Sequence, residues 1–128
     1  PHTIEYLQEL GYLYDSSFVD DDFPYRMGGE GGQRGLIQLP WAWVLDDAVY
    51  YSHQRGAPAS PAHVLSIWKE EFDTLYAHTG YFMLVCHPRY SGRLTRAHAL
   101  EKLILHIKNR KGVWFATCRE VAQWIAEH

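Results

Sequence analysis

Residues 81–93 read Tyr-Phe-Met-Leu-Val-Cys-His-Pro-Arg-Tyr-Ser-Gly-Arg, and this stretch decides the fold class. Its first six residues form a continuous apolar run, which is typical of a β-strand covered on both faces. His87 and Pro88 end the run, and Gly92 permits a turn before the next helix. A buried strand that leads through a short polar turn into a helix is the repeating unit of an α/β fold.

The same alternation extends along the chain in both directions. Apolar spacing and capping residues predict helices over 3–10, from Pro61 to before Gly80, from Thr95 to before Gly112 and from Thr117 onward, and strands over 12–14, 36–39 and 113–116. Strands that alternate with helices imply parallel pairing with right-handed crossovers. In such folds the functional groups gather just after the strands, at their C-terminal ends.

Composition and motifs exclude several classes of protein. The 128 residues are 47% apolar and 21% charged with a net charge of −3, an ordinary globular balance that argues against nucleic-acid binding. No apolar run approaches the roughly 20 residues of a membrane span. The chain contains no H-E-x-x-H, H-x-x-x-H, C-x-x-C or G-x-S-x-G motif. The stretch Met27–Gly35 contains five glycines but no G-K-[ST] ending, so it predicts a surface loop and not a phosphate loop.

Three segments at the predicted strand ends carry groups suited to chemistry, and each has a purely structural alternative. His87 is placed to act as an acid or to orient a carboxylate, or only to bond neighbouring backbone. The acidic run Asp20–Asp22 suits a cation or a substrate hydroxyl, or is a charged loop. The segment 40–47 contains aromatic residues next to carboxylates, a combination found in sugar- and amide-binding sites. Its structural alternative is that the aromatic residues pack in the core. Arg93 and Arg96 are suited to bind a carboxylate ligand, and the structural alternative is that both are solvated at the start of a helix.

Five segments together resemble the NodB-homology polysaccharide deacetylase family. They are Leu10–Ser17, Asp21–Tyr25, Leu39–Trp41 with Asp46, His87–Arg93 and Gly112–Thr117. They occur in the family's order and cover essentially the whole chain, with the greatest likeness to the branch of deacetylases and cyclic-amide hydrolases related to metal-independent allantoinase. The resemblance implies an α/β fold, the second half of a distorted (β/α) barrel, with residues 1–128 as the C-terminal portion of one domain.

The resemblance also implies that a first half precedes Pro1. In the family that half carries an Asp-His-His metal triad and a catalytic aspartate, and a complete (β/α) barrel needs about 200–250 residues. We therefore expect a divalent metal, zinc or similar, in the complete domain, and none held by this chain alone. The expected partners are the N-terminal half and an oligosaccharide or small-molecule substrate, within a homo-oligomer and without nucleic acid or membrane. Apolar outer faces, which include Trp68, Phe72, Ile104 and Trp124, would favour such assembly.

The activity implied by the resemblance is hydrolysis of an amide, such as the N-acetyl group of an amino sugar. His87 would act as the general acid or as its orienting partner, although His-Pro here replaces the family's usual His-Asp. Trp41 and Leu84 would wall the pocket for the acyl methyl group, and Asp22, Asp46 and Arg93 would contact the substrate. Two alternatives stay open: an allantoinase-like hydrolase of a small cyclic amide without metal, and a non-catalytic carbohydrate-binding half-domain.

Overall fold

The computed structural model describes residues 2–28, 35–53 and 56–128. The chain divides into two units, one formed by residues 1–41 with 114–128 and the other by residues 42–113. Most of the loop predicted over Met27–Gly35 lies outside the described residues. In the described ranges, no helix is long and apolar enough to cross a membrane.

Short strands and longer helices alternate only in part. The helices are α1 (Thr3–Glu9), α2 (Asp47–Tyr51), α3 (Pro61–Ala77), α4 (Pro88–Ser91), α5 (Leu94–Lys108) and α6 (Cys118–Glu127), with a 3₁₀ turn at Trp43–Leu45. The strands are β1 (Tyr14–Asp15), β2 (Tyr25–Met27) and β3 (Leu36–Gln38).

The first unit is a small sheet with helices against it. The strand order is β1-β3-β2, with β3 parallel to β1 and antiparallel to β2. Every residue of β3 is buried, which is why this strand reads as a short apolar run. Helices α1 and α6 both contact β3. In addition, the Arg26 guanidinium donates to the carbonyls of Ile125 and Ala126 at the end of α6, where a cation complements the helix dipole.

The second unit is built on the packing of α3 against α5. Its buried hydrophobic cluster consists of Leu45, Tyr51, Val64, Trp68, Phe72, Leu103 and Ile107. The Trp68 indole and the Tyr50 hydroxyl both donate to the carbonyl of Val44, at 3.1 and 2.9 Å. These bonds fix the 3₁₀ turn against α3 and so position the residues that follow it, including Asp46 and Asp47.

The helices predicted from the sequence form, whereas several predicted strands do not. Residues 81–86 make only an isolated parallel bridge, between Val85 and Asp46, and residues 113–116 form no strand. A strand needs a neighbour to satisfy its backbone, and apolar composition alone does not supply one. β2 is not among the strands predicted from the sequence and pairs antiparallel, so the expectation of parallel pairing throughout was wrong.

Two further predictions need correction in detail. Helix α5 begins at Leu94 with Arg93 as its N-cap, not with Thr95. Trp68 and Phe72, expected on an exposed outer face, are buried because α5 covers α3. Ile104 and Trp124 are exposed as expected, at 40% and 53% of their full accessibility.

Candidate active site

A single parallel bridge brings two distant parts of the second unit together. The Val85 amide donates to the Leu45 carbonyl at 2.8 Å, and the Asp47 amide donates to the Val85 carbonyl at 3.1 Å. Asp46 caps α2 through a bond from the Ala48 amide to its Oδ1, at 2.7 Å. Because the bridge pairs Asp46 with Val85, the chain places Asp47 directly beside His87.

Asp47 is fully buried and accepts four hydrogen bonds. Its Oδ1 lies 2.6 Å from His87 Nδ1. Its Oδ2 accepts from the His87 amide at 2.8 Å, and from the amide and hydroxyl of Ser91 at 3.2 and 2.5 Å. A carboxylate can only accept, so Nδ1 carries the proton in this pair. This set of donors holds the carboxylate in one position and fixes the imidazole plane.

The hydrogen bond to Asp47 raises the pKa of His87 above its usual value, with further contributions from the charges of Asp47 and Asp46. The His87 side chain is 43% exposed while Asp47 is inaccessible. None of the described residues forms a hydrogen bond with His87 Nε2. The outer nitrogen of the ring thus has no hydrogen-bond partner in the described part of the chain and can exchange a proton with a bound molecule.

Asp46, Asp47 and His87 also form a group of three candidate metal ligands, whose donor atoms lie within 4.8 Å of one another. The sequence predicts that this chain alone holds no metal, and it does not anticipate that three candidate ligands meet here. The arrangement nevertheless fits a hydrogen-bonded pair better than a metal. Ligands at zinc distances lie about 3 Å or more apart, whereas Nδ1 and Oδ1 are separated by 2.6 Å. Both oxygens of Asp47 are already used by donors.

Three of the predicted site residues lie near His87 in the chain or in space. Asp46 Oδ1 is 3.8 Å from His87 Nδ1, so the two residues are brought together. Leu84 is half-buried against the hydrophobic cluster of the second unit. Arg93 is exposed and lines a cavity beside α4 and α5.

The remaining two predicted residues, Asp22 and Trp41, belong to the first unit. Asp22 is exposed in a loop shaped by its neighbours: Asp21 accepts from the Phe23 amide, and Asp20 accepts from the Tyr25 hydroxyl at 2.8 Å. Burial and this bond raise the pKa of Tyr25 to about 12. Trp41 is half-buried, and its amide donates to the Phe18 carbonyl at 3.2 Å.

Asp47 and Ser91 are the functional candidates that sequence reasoning did not single out. In the sequence, Asp47 is one carboxylate of the segment 40–47, and Ser91 is part of the turn after His87. A weak signal existed for Ser91, since a residue four positions after His87 returns to the same side of a helical turn.

Two curated proteins that are similar to this chain are named deacetylases. No protein-family model matches the sequence. The chain is 29% identical to a peptidoglycan deacetylase of Helicobacter pylori, over 94% of this chain and 51% of that protein. It is 28% identical to a putative polysaccharide deacetylase of Schizosaccharomyces pombe, over 90% of this chain and 39% of that protein. The chain thus spans about half or less of the length of the curated relatives it matches.

Solved structures agree with these relatives. A putative polysaccharide deacetylase from Mycobacterium smegmatis matches 98% of this chain with a TM-score of 0.90 and 32% identity, over 45% of that chain. A probable polysaccharide deacetylase from Pseudomonas aeruginosa matches with a TM-score of 0.88 and 28% identity, over 100% of this chain and 44% of that chain. The structure of Puue allantoinase matches with a TM-score of 0.86 and 28% identity, over 100% of this chain and 44% of that chain.

These matches confirm the predicted likeness to polysaccharide deacetylases and the predicted fold class. The mixed helices and sheet are those of a partial α/β barrel, and the extent of the matches fits the C-terminal half of a NodB-type domain. These relatives are named deacetylases, and deacetylation hydrolyses a carbon–nitrogen bond other than a peptide bond, the reaction class that the resemblance implies.

Proposed function

We propose that the protein containing this chain is a polysaccharide deacetylase, which hydrolyses the N-acetyl group of an amino sugar, and that this chain supplies part of its active site. The relatives named as peptidoglycan and polysaccharide deacetylases support the substrate class. The observation that carries the proposal is the buried Asp47 carboxylate bonded at 2.6 Å to the half-exposed ring of His87.

His87 is the proposed general acid. Amide hydrolysis adds water to the acyl carbon and breaks the carbon–nitrogen bond, and the departing nitrogen must gain a proton because an amide anion is a very poor leaving group. The raised pKa of His87 favours its protonated form, which can donate a proton from Nε2. Asp47 acts through His87 as a positioning residue, since it fixes the tautomer and the plane of the ring.

The other predicted residues have proposed roles in binding. In the second unit, Leu84 would contact the acyl group, Asp46 the sugar hydroxyls and Arg93 an acidic substituent. Asp22 and Trp41 of the first unit keep only the substrate contacts that the resemblance implies. We assign the activation of water to groups outside this chain, including the divalent metal expected in the complete domain. The arrangement of Asp46, Asp47 and His87 as a hydrogen-bonded cluster supports that division of roles.

Acetate release by the full-length protein tests the proposal. With chito-oligosaccharide and peptidoglycan as substrates, His87→Ala should lower kcat by about 10²–10⁴-fold. His63→Ala, an exposed histidine on α3, is the matched control and should leave kcat unchanged. Wild-type protein that binds chito-oligosaccharide without releasing acetate would replace the proposal with a carbohydrate-binding role. An unchanged kcat in His87→Ala would leave His87 a structural residue.

The match to an allantoinase structure supports a second candidate, hydrolysis of a small cyclic amide without a metal. His87 would again protonate the departing nitrogen, which stays attached to the opened ring. Chelation separates the two candidates. A deacetylase that depends on a metal should lose acetate release when the full-length protein is treated with a chelator, whereas ring opening of allantoin should persist under the same treatment.

A further inference from the structure

We infer that the cavity lined by Arg89, Arg93 and Arg96 in the second unit binds an oxyanion, either a carboxylate or a phosphate group. The cavity has a volume of about 320 Å³, and Tyr51 and Tyr90 also line it. That volume lies at the lower end of the range for small-molecule sites and exceeds what a single inorganic anion fills. A carboxylate carried by a sugar would use the remaining space.

The three guanidinium groups form an uncompensated positive charge. Among the described residues, no carboxylate lies within ion-pair distance of Arg89, Arg93 or Arg96, whereas Arg110 pairs with Asp73 at 2.9 Å. Three like charges around one cavity repel one another, which disfavours the arrangement unless an anion enters.

Two of these arginines lie at the start of α5. Arg93 is the N-cap of the 15-residue helix and Arg96 lies in its first turn, where no acidic residue is present. The N-terminal end of a helix carries partial positive charge and unpaired amide groups, so it favours anions and disfavours cations. No side chain caps this end. Cations at this position therefore add to the helix field and point to an anionic ligand.

Aromatic rings hold two of the three arginines in place. The Arg96 guanidinium lies 4.4 Å from the centre of the Tyr51 ring, and its Nη1 lies 3.5 Å from the Tyr90 carbonyl. The Arg89 guanidinium lies 4.9 Å from the centre of the Tyr90 ring. A guanidinium stacked on an aromatic ring keeps its in-plane donors available, so little side-chain entropy is lost when a planar anion binds.

Tyr51 provides a second, independent observation. Its side chain is 1% exposed, and its hydroxyl is a buried polar atom without a hydrogen-bond partner, the one such side-chain atom found in the described part of the chain. Buried polar groups are rarely left unpaired unless a ligand or water completes them. Tyr51 also lines the cavity, so the unpaired hydroxyl belongs to a residue that an anion held by the arginines would contact.

The cavity also adjoins the His87–Asp47 pair. Tyr90, which lines the cavity, meets the His87 ring edge to face at a centroid distance of 5.8 Å. An acidic group held by the arginines would therefore lie next to the proposed general acid. If the oxyanion belongs to the polymer substrate, which rests on the proposed function, the enzyme selects an acidic glycan; if it is free in solution, the site binds phosphate.

Binding of two probes to the full-length protein tests the inference. Inorganic phosphate and glucuronate should each bind saturably at constant ionic strength. Arg93→Gln and Arg96→Gln should each weaken binding about tenfold or more, the loss expected for one charge-assisted contact. Lys102→Gln removes an exposed charge from α5 outside the cavity and should leave binding unchanged. Arg93 is exposed, so its substitution keeps the test valid if Arg96→Gln fails to fold.

Absence of saturable binding, or equal loss in Lys102→Gln, would overturn the inference. Kinetics then identify the source of the anion. A KM that rises in Arg93→Gln for glycan strands with free carboxylates, but not for neutral chito-oligosaccharide, assigns the site to the substrate. Phosphate binding with no change in either KM assigns it to a free anion. Retained phosphate binding in a protein that releases no acetate would refute the proposed function and leave the anion site intact.

Discussion

Asp47 determines what His87 can do, because the buried carboxylate and the ring share one proton at Nδ1. Replacement of Asp47 by Asn removes the negative charge at nearly constant shape. We expect the pKa of His87 to fall and kcat of the full-length protein to fall with it, since less of the acid form is present at neutral pH. Titration of the His87 ring protons by NMR measures the shift.

Asp46→Asn is the matched control for that experiment. Asn also caps helices, so α2 keeps its start, and Asp46 contributes less than Asp47 to the raised pKa of His87. An equal fall of the pKa in both variants would contradict the assigned partnership and would indicate a general field effect of two carboxylates.

The pair should also make stability depend on pH. The pKa of His87 is raised in the folded state, so its contribution is complete below the unfolded pKa and is lost as pH rises through the folded pKa. The destabilisation caused by His87→Ala should therefore be larger at pH 6 than at pH 9, measured by urea unfolding of the full-length protein. His63→Ala should show no such trend, and a cost for His87→Ala that grows with pH would contradict the sign.

At this scale the sequence located the histidine but not its partner. His87 directly follows an apolar run, and that position alone places it at the C-terminal end of a predicted strand, where functional groups gather. Asp46 and Asp47 are adjacent and chemically identical, and only the bridge from Val85 decides which carboxylate meets the ring. That register depends on packing between segments about 40 residues apart in sequence, which a local pattern does not contain.

Among the elements, the four helices predicted from sequence form, whereas only two of the four predicted strands do, near 12–14 and over 36–39. Helix α3 has a proline at its start and an apolar face, and α6 has a complete capping box, so both are specified within a few residues. The run 81–86 has strand composition, but its pairing depends on residues elsewhere. Sequence therefore predicted which segments form helices better than which segments would pair.

Thr117 and Thr95 test whether the observed caps, and not the sequence pattern, set helix stability. The Thr117 hydroxyl oxygen accepts from the Glu120 amide, and the Thr117 amide and hydroxyl donate to the Glu120 carboxylate. Thr95 makes no such cap at the start of α5. Thr117→Ala should destabilise the full-length protein by about 1 kcal/mol. Thr95→Ala should change the free energy of unfolding by about 0.5 kcal/mol or less. Equal costs in denaturant unfolding would show that α5 is capped in the way the sequence first suggested.

The same capping box has a pH dependence of the opposite sign to that of His87. Hydrogen bonds from Thr117 lower the pKa of Glu120, so the contribution of its carboxylate is present above the unfolded pKa and is lost as pH falls through the folded pKa. The cost of Thr117→Ala should accordingly shrink in acid, which ties the measured effect to the box itself.

At the scale of the whole chain, each unit leaves large apolar side chains uncovered. In the first unit Trp114, Phe115 and Trp124 are 53–56% exposed, and in the second Leu94 is 88% exposed. Trp68 and Phe72, which the sequence placed on such a surface, are instead inside the second unit, so part of the chain already has a core of its own. The uncovered groups belong to surfaces that other protein should cover.

The isolated chain should therefore associate. Burial of an exposed Trp, Phe or Leu side chain is favourable by about 1.5–3 kcal/mol when the side chain is fully covered. A free chain can gain this energy through self-association, or through a partner such as the remaining half of a deacetylase-type domain. Light scattering of the 128-residue chain should show oligomers or aggregates, and addition of the complementary half should replace them with a defined complex. A folded, monodisperse species near 14.9 kDa would contradict this expectation, because it would mean that the uncovered side chains are compatible with solvent.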